Sequence, residues 1–498
     1  MNNLVEQKSH LLDEKFEQYD DGTYEYDGIL WDYNINPPRK IRTKFLVTFT
    51  ESKQIYYTQD KICIRIYQYK NISDKHEVMN NLEQIYYLQL IGEYGKNNQK
   101  IGKWRATWDG EILKDVGGEY SEDGKKQGQW KEINKNFWRE VNLQFYSLAQ
   151  VYEVGQYVND QRNGTWKFIY ENNEIGGGKY NMDSQKNGKW IDLSSEFWSE
   201  SQVTYSGEYK NGKKIGIWDV WFYDDNDKKK NQLIGCGLYQ EKQGESIKIG
   251  RWYELSDEFC KESQIIYSGE YKNDKKVGRW DIFYRRKAKY QFKQIQFLVV
   301  EGHMMKNQKQ QTQIRLDNGL NWAMGLRKIL KQFLQVNIKM VKRQVSGIFN
   351  MKENICKIIL LIQYDKKYSG GGQYDDKVEK VDSIKIGKWI ELFDGFSNIS
   401  QVIYNGEYIN GKQVGRWDIL YRKKNDIPFK MIGGGQYDEN LYKVDSIKIG
   451  VWIELSETFY KYSQIIYNGE YKNGKKVGKW VKIDLMANEQ IQEIDYDN

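Results

Sequence analysis

Three histidines, four cysteines and a recurring set of carboxylates and lysines are the side chains that could do chemistry in this chain. His10, His76 and His303 stand far apart, and none belongs to a His-Glu-x-x-His pair that would hold zinc. No Gly-x-Ser-x-Gly nucleophile turn or phosphate-cradling glycine loop occurs. Cys63, Cys236, Cys260 and Cys356 lack Cys-x-x-Cys spacing, so neither a zinc site nor a disulfide framework is indicated. The acids repeat instead. Asp219, Asp281 and Asp418 each follow a tryptophan, and Glu208, Glu270, Glu407 and Glu470 stand in Gly-Glu-Tyr. Such rows could hold cations. The preferred reading is cross-strand pairing with equally repetitive lysines, at a few tenths of a kcal/mol per pair. The pairs Lys213-Lys214, Lys275-Lys276 and Lys475-Lys476 fall at turns and would line up as a basic edge. That edge would attract anionic lipid at about 1 kcal/mol per charge near a membrane. Lysine on an exposed edge also discourages strand aggregation, and that role is preferred. No catalytic residue, cofactor or metal is therefore expected.

The elements that carry these residues are copies of one stretch, Gly469-Glu-Tyr-Lys-Asn-Gly-Lys-Lys-Val-Gly-Lys-Trp480. Ile465, Tyr467, Gly469 and Tyr471 share one parity and hence one face of a strand. Asn473-Gly474 tolerates positive φ and predicts a two-residue hairpin. Gly478 opens a second strand, where alternation resembles Trp280, Ile282 and Tyr284 against Arg279, Asp281 and Phe283. One hairpin is marginal in water, so its tryptophan must be covered by the next unit. Gly-x-Trp recurs at Trp104, Trp130, Trp166, Trp190, Trp218, Trp252, Trp280, Trp389, Trp417, Trp452 and Trp480. Short and long spacings alternate, so the period is a pair of hairpins, 63 residues long from Trp389 to Trp452. Gly triplets at 176–178, 370–372 and 433–435 predict a bulge or close backbone approach.

The predicted fold is all-β: an elongated antiparallel meander of hairpin repeats. It has a short N-terminal helix within residues 1–18 and an irregular, helix-prone interruption at 296–365. Residues 1–80 form an atypical cap, 81–295 and 369–485 hold repeats, and 486–498 form a tail. The block 296–368 loses the motif. It reads as a repeat in a shifted frame, given a code in which TAA or TAG encodes glutamine; the rival reading is a real insert with a basic amphipathic helix at 321–335.

Hydrophobic residues make up 39% and aromatics 15%, which suits a thin aromatic-faced sheet better than a thick globule. A net charge of +7 and a pI of 8.7 do not call for nucleic acid. The N-terminus lacks an apolar leader core and no run of 18 apolar residues exists, so a cytoplasmic protein is expected.

Tandem Tyr-x-x-Gly-x-x-x-Gly-x-Trp resembles the MORN-repeat family, in the variant where tryptophan replaces the last motif glycine, as in antitoxin-like and protist proteins. The resemblance covers about residues 88–290 and 369–482. It implies an elongated, single-layer, twisted meander acting as a scaffold near membrane or cytoskeleton. The 63-residue double unit and the loops carrying Phe197, Phe259, Phe396 and Phe459 depart from the common spacing. The expected function is a non-catalytic platform for protein partners. The alternative is a peripheral module on anionic membrane that uses the lysine-rich turns.

Overall fold

The computed structural model describes residues 22–32, 39–52, 54–68, 79–97, 99–138, 150–224, 231–285, 293–294, 370–376, 382–397, 400–423, 428–440, 445–460 and 462–496. The N-terminal helix, the three histidines, Cys356 and the block 296–368 lie outside them. Two compact units are present: Met1–Tyr223 with Gln243–Glu245, and Asp224–Lys242 with Ser246–Asn498.

The first unit opens with a four-stranded antiparallel sheet, Gly22–Asp32, Arg39–Phe49, Gln54–Gln59 and Ile62–Gln68. Phe45, Val47, Ile55 and Tyr57 are buried in it against Leu82 and Ile85. Those two belong to a one-and-a-half-turn helix, Leu82–Tyr87, whose cap Asn81 accepts from the Gln84 amide at 3.2 Å. Capping lets so short a helix stand where the repeats were expected to begin. From Leu88–Tyr94 to Lys213–Tyr223 each strand then pairs antiparallel with the next. In the second unit the strands from Glu245–Leu255 to Glu489–Asp495 pair in the same manner. The architecture is thus the all-β hairpin meander that the repeat implies.

The turn chemistry sets this register. Asn473 and Gly474 take φ of 50° and 79°, and Lys472 faces Lys475 across them. Gly478 differs from expectation. The second strand begins at Lys475, and Gly478 sits inside it at φ 61°, part of an irregularity in the ladder. That kink lays Trp480 flat on Gly469 of the preceding strand; a Cβ on Gly469 would come within 2.2 Å of the indole. All eleven Gly-x-Trp residues repeat this placement, and all are buried.

The loops carrying Phe197, Phe259, Phe396 and Phe459 form tight turns in which the phenylalanine amide donates to the carbonyl three residues back. Each of these rings is buried. They help cover strand starts that are buried on both faces, such as Ile265 with Ile266 and Val402 with Ile403. Ser263 Oγ donates to the Phe396 carbonyl at 2.7 Å, tying one loop to another.

The ladder passes over the interruption. Trp280 faces Gly372 and Arg279 faces Gln373, the register in which Trp417 faces Gly435 and Arg416 faces Gln436. Regular pairing therefore resumes at Gly371, and the described residues Lys293–Gln294 pair with the same strand at Tyr284 and Phe283.

Candidate functional site

Nine of the eleven Gly-x-Trp tryptophans lie between two tyrosines of the Gly-x-Tyr positions. In the second unit, Trp389 is 5.0 Å from Tyr374 and 6.0 Å from Tyr408, both edge-on. In the first, Trp190 is 5.1 Å from Tyr180 and 6.0 Å from Tyr209. Edge-to-face contacts at these separations favour the ring quadrupoles.

Above the rings lies a charged layer. Ten of the eleven repeats place a cation four residues before the tryptophan, and its charged group covers the indole. The lysines do so at 4.1 to 4.8 Å and Arg162 at 4.1 Å. In alternate strands an acid follows two residues after the tryptophan: Glu132, Asp192, Glu254, Glu391 and Glu454. Each accepts from the lysine six residues earlier, as Glu254 does from Lys248 at 2.8 Å and Asp192 from Lys186 at 2.7 Å. Each also accepts from a tyrosine hydroxyl on the next strand, such as Tyr271 at 2.8 Å or Tyr209 at 2.7 Å. Four acids take a second cation from the strand beyond: Arg162 on Glu132, Lys214 on Asp192, Lys276 on Glu254 and Lys476 on Glu454, at 2.9, 3.8, 3.0 and 3.1 Å.

This corrects the picture of an outward basic edge for half of its residues. Lys214, Lys276 and Lys476 lie over tryptophans and bind carboxylates; only Lys213, Lys275 and Lys475 remain at the turn itself. The acid rows divide. Lys189, Arg251 and Lys388 stand across the ladder from Glu208, Glu270 and Glu407, but Glu470 stands across from Val451, and Asp281 and Asp418 bind arginines of their own strands, Arg279 at 2.9 Å and Arg416 at 2.8 Å. The five acids of the charged layer are residues that sequence reasoning missed. Their signal is the acid two residues after alternate tryptophans.

Burial opposes ionisation of Glu254, yet Lys248 and Lys276 hold its carboxyl below the usual range; Glu132 and Glu454 behave alike. Burial, reinforced by Glu254, pushes the Tyr271 hydroxyl well up. Both shifts move titration away from neutral pH, so neither Glu254 nor Tyr271 is poised to exchange a proton there. The linkage follows. The depressed acids contribute stability above their unfolded value of about 4.5, lost as pH falls through the folded value. The raised tyrosines contribute stability below about 10, lost as pH rises toward the folded value. Unfolding midpoints against pH should be flat between these limits and fall outside them. A maximum confined near pH 7, with steep loss on either side, would contradict the network.

One buried lysine stands apart. Lys40 binds Glu196 at 3.1 Å beside Trp31 and Trp138, and burial lowers its pKa against the pull of Glu196. It fastens the N-terminal sheet to the Phe197 loop. Among the described residues no group of three or more His, Cys, Asp or Glu could hold a metal ion, and no helix is long and apolar enough to cross a membrane. Compared with protein-family models and with curated proteins, the chain matches none.

Proposed function

We propose that the protein is a non-catalytic, MORN-like repeat platform that binds a protein partner along its sheet. The observation that carries this reading is the outward charge row. Exposed Lys189 and Lys388 face exposed Glu208 and Glu407 at the same point of their double units. Within the second unit Arg251 facing Glu270 repeats the Lys388–Glu407 pair four strands earlier, roughly 19 Å at about 4.8 Å per strand, so a partner of that unit would meet the same pairing of charges twice. The lysines and acids of the charged layer pair with one another, whereas Lys189, Lys388, Glu208 and Glu407 lie exposed. A cytoplasmic position beside membrane or cytoskeleton fits such a role.

The membrane reading is weakened because the second lysine of each turn pair is committed inward. Sedimentation with anionic vesicles at low and high salt, alongside crosslinking in extract, separates the two. The platform reading expects no salt-sensitive vesicle binding. It also expects a stoichiometric protein partner that is lost when Lys189→Glu and Lys388→Glu are combined. Vesicle binding that weakens with salt, without such a partner, would transfer the assignment to the membrane.

A further inference from the structure

The charged layer has one incomplete copy. Glu391 lies 22 residues before Gln413, the spacing that separates Asp192 from Lys214, Glu254 from Lys276 and Glu454 from Lys476. In those three copies the ammonium lies 4.4, 4.3 and 4.1 Å from the indole centroid and also reaches the carboxylate. Gln413 carries no charge. Among the described residues, no cation covers Trp417, and Lys385 is the one cation bound to Glu391.

A cavity of about 420 Å³ opens at this place. Aromatic walls come from Tyr404, Trp417, Tyr437 and Trp452, and carboxylates from Glu391, Asp394 and Glu454. Lys448 is the single cation in the lining, and it is spent on Glu454. Lys385 and Lys476, which stand outside the lining, bind Glu391 and Glu454, so Glu391 keeps one ammonium where its siblings have two, and among the described residues Asp394 has none. The neighbouring hydroxyls register these carboxylates. Tyr404 and Tyr437 are pushed up to about 12, first by burial and then by these carboxylates. A volume this large admits a small organic ion together with part of its chain. Carboxylates beside aromatic rings select a cation, and the rings favour an organic one.

We propose that this cavity binds a primary alkylammonium ion, in the position that the chain's own lysine ammonium fills in the sibling repeats. The ion could come from a free amine or from a lysine side chain of a partner; the recognition chemistry is the same. The test is calorimetric titration of the full chain with butylammonium chloride and, separately, with a capped Gly-Lys-Gly peptide, each against sodium chloride of equal ionic strength. The expected result is saturable binding of at least one ammonium probe and none of sodium; the tighter probe identifies the source. Gln413→Lys, which restores the internal cation, should abolish binding. Glu391→Gln, which keeps the shape, should weaken it at least about tenfold, as for loss of a charged hydrogen bond, and reads the site even if Gln413→Lys fails to fold. Absence of saturable binding by the unaltered chain, or affinity unchanged in either folded variant, overturns the proposal.

Discussion

Trp280→Ala should destabilise its own hairpin by about 3–5 kcal/mol, the usual cost of truncating a buried large aromatic. Trp280 is 3% exposed. It covers Gly269, meets Tyr271 at 5.3 Å and Tyr374 at 6.3 Å, and carries Lys276 at 4.3 Å. Removing it empties one rung and also frees Lys276, which leaves Glu254 with a less constrained second cation. The ladder partners of its strand are Gln264–Lys272, Gly371–Tyr374 and the two-residue Lys293–Gln294. In a nearest-neighbour array the damage should fade within a few strands. Hydrogen exchange read by segment should show lost protection in those strands and native protection near residues 100 and 470. Equal loss from residue 90 to 480 would contradict it.

Gly434→Ala should cost several kcal/mol, more than any other single methyl addition in its hairpin. Gly434 has φ 122°, and a Cβ there would lie 2.1 Å from the Trp417 backbone oxygen. A carbonyl in a paired strand cannot turn aside as a side chain can. Lys412–Arg422 and Lys430–Tyr437 must therefore separate locally. Gly450 is the internal control. Its φ is 65° with nothing within 4 Å of an added Cβ, so Gly450→Ala should cost only about 1–2 kcal/mol of left-handed strain. Denaturation midpoints of the two variants should differ clearly in that order. Equal midpoints would mean that the close approach at Gly434 is not what requires glycine there.

The triplet 433–435 shows how far sequence reading reached. It announced a close approach at this point. It could not say that the three glycines have three reasons: an added Cβ would meet the Ile453 carbonyl at 2.7 Å, the Trp417 carbonyl at 2.1 Å and the Trp452 ring at 2.2 Å, in that order along the triplet. Strand parity, the Asn-Gly turn and the equivalence of the tryptophans were legible because each is a local pattern. The charged layer was not. Lys476 and Trp480 share parity, but in an even strand they would stand about 13 Å apart. The kink at Gly478 and the length of the lysine side chain bring the ammonium to 4.1 Å from the ring. The carboxylate it also binds, Glu454, lies two strands away, so the motif that joins them is invisible in any one copy. Once that role is known, Gln413 stands out as the exception, although in sequence it looks like a minor variation in a polar turn.

The central claim is that each Gly-x-Trp tryptophan lies flat on a glycine, and that in nine of the eleven copies a lysine of its own strand lies above it. The most direct measurement is the chemical shift of lysine ε-methylene protons in the labelled full chain, because protons over an aromatic face move upfield. Lys248, Lys276, Lys448 and Lys476 should be shifted strongly upfield, and Trp280→Ala should return Lys276 alone to the ordinary position. Lysine signals that all lie at the ordinary position, or that do not respond to Trp280→Ala, would contradict the stacked arrangement on which this account of the fold rests.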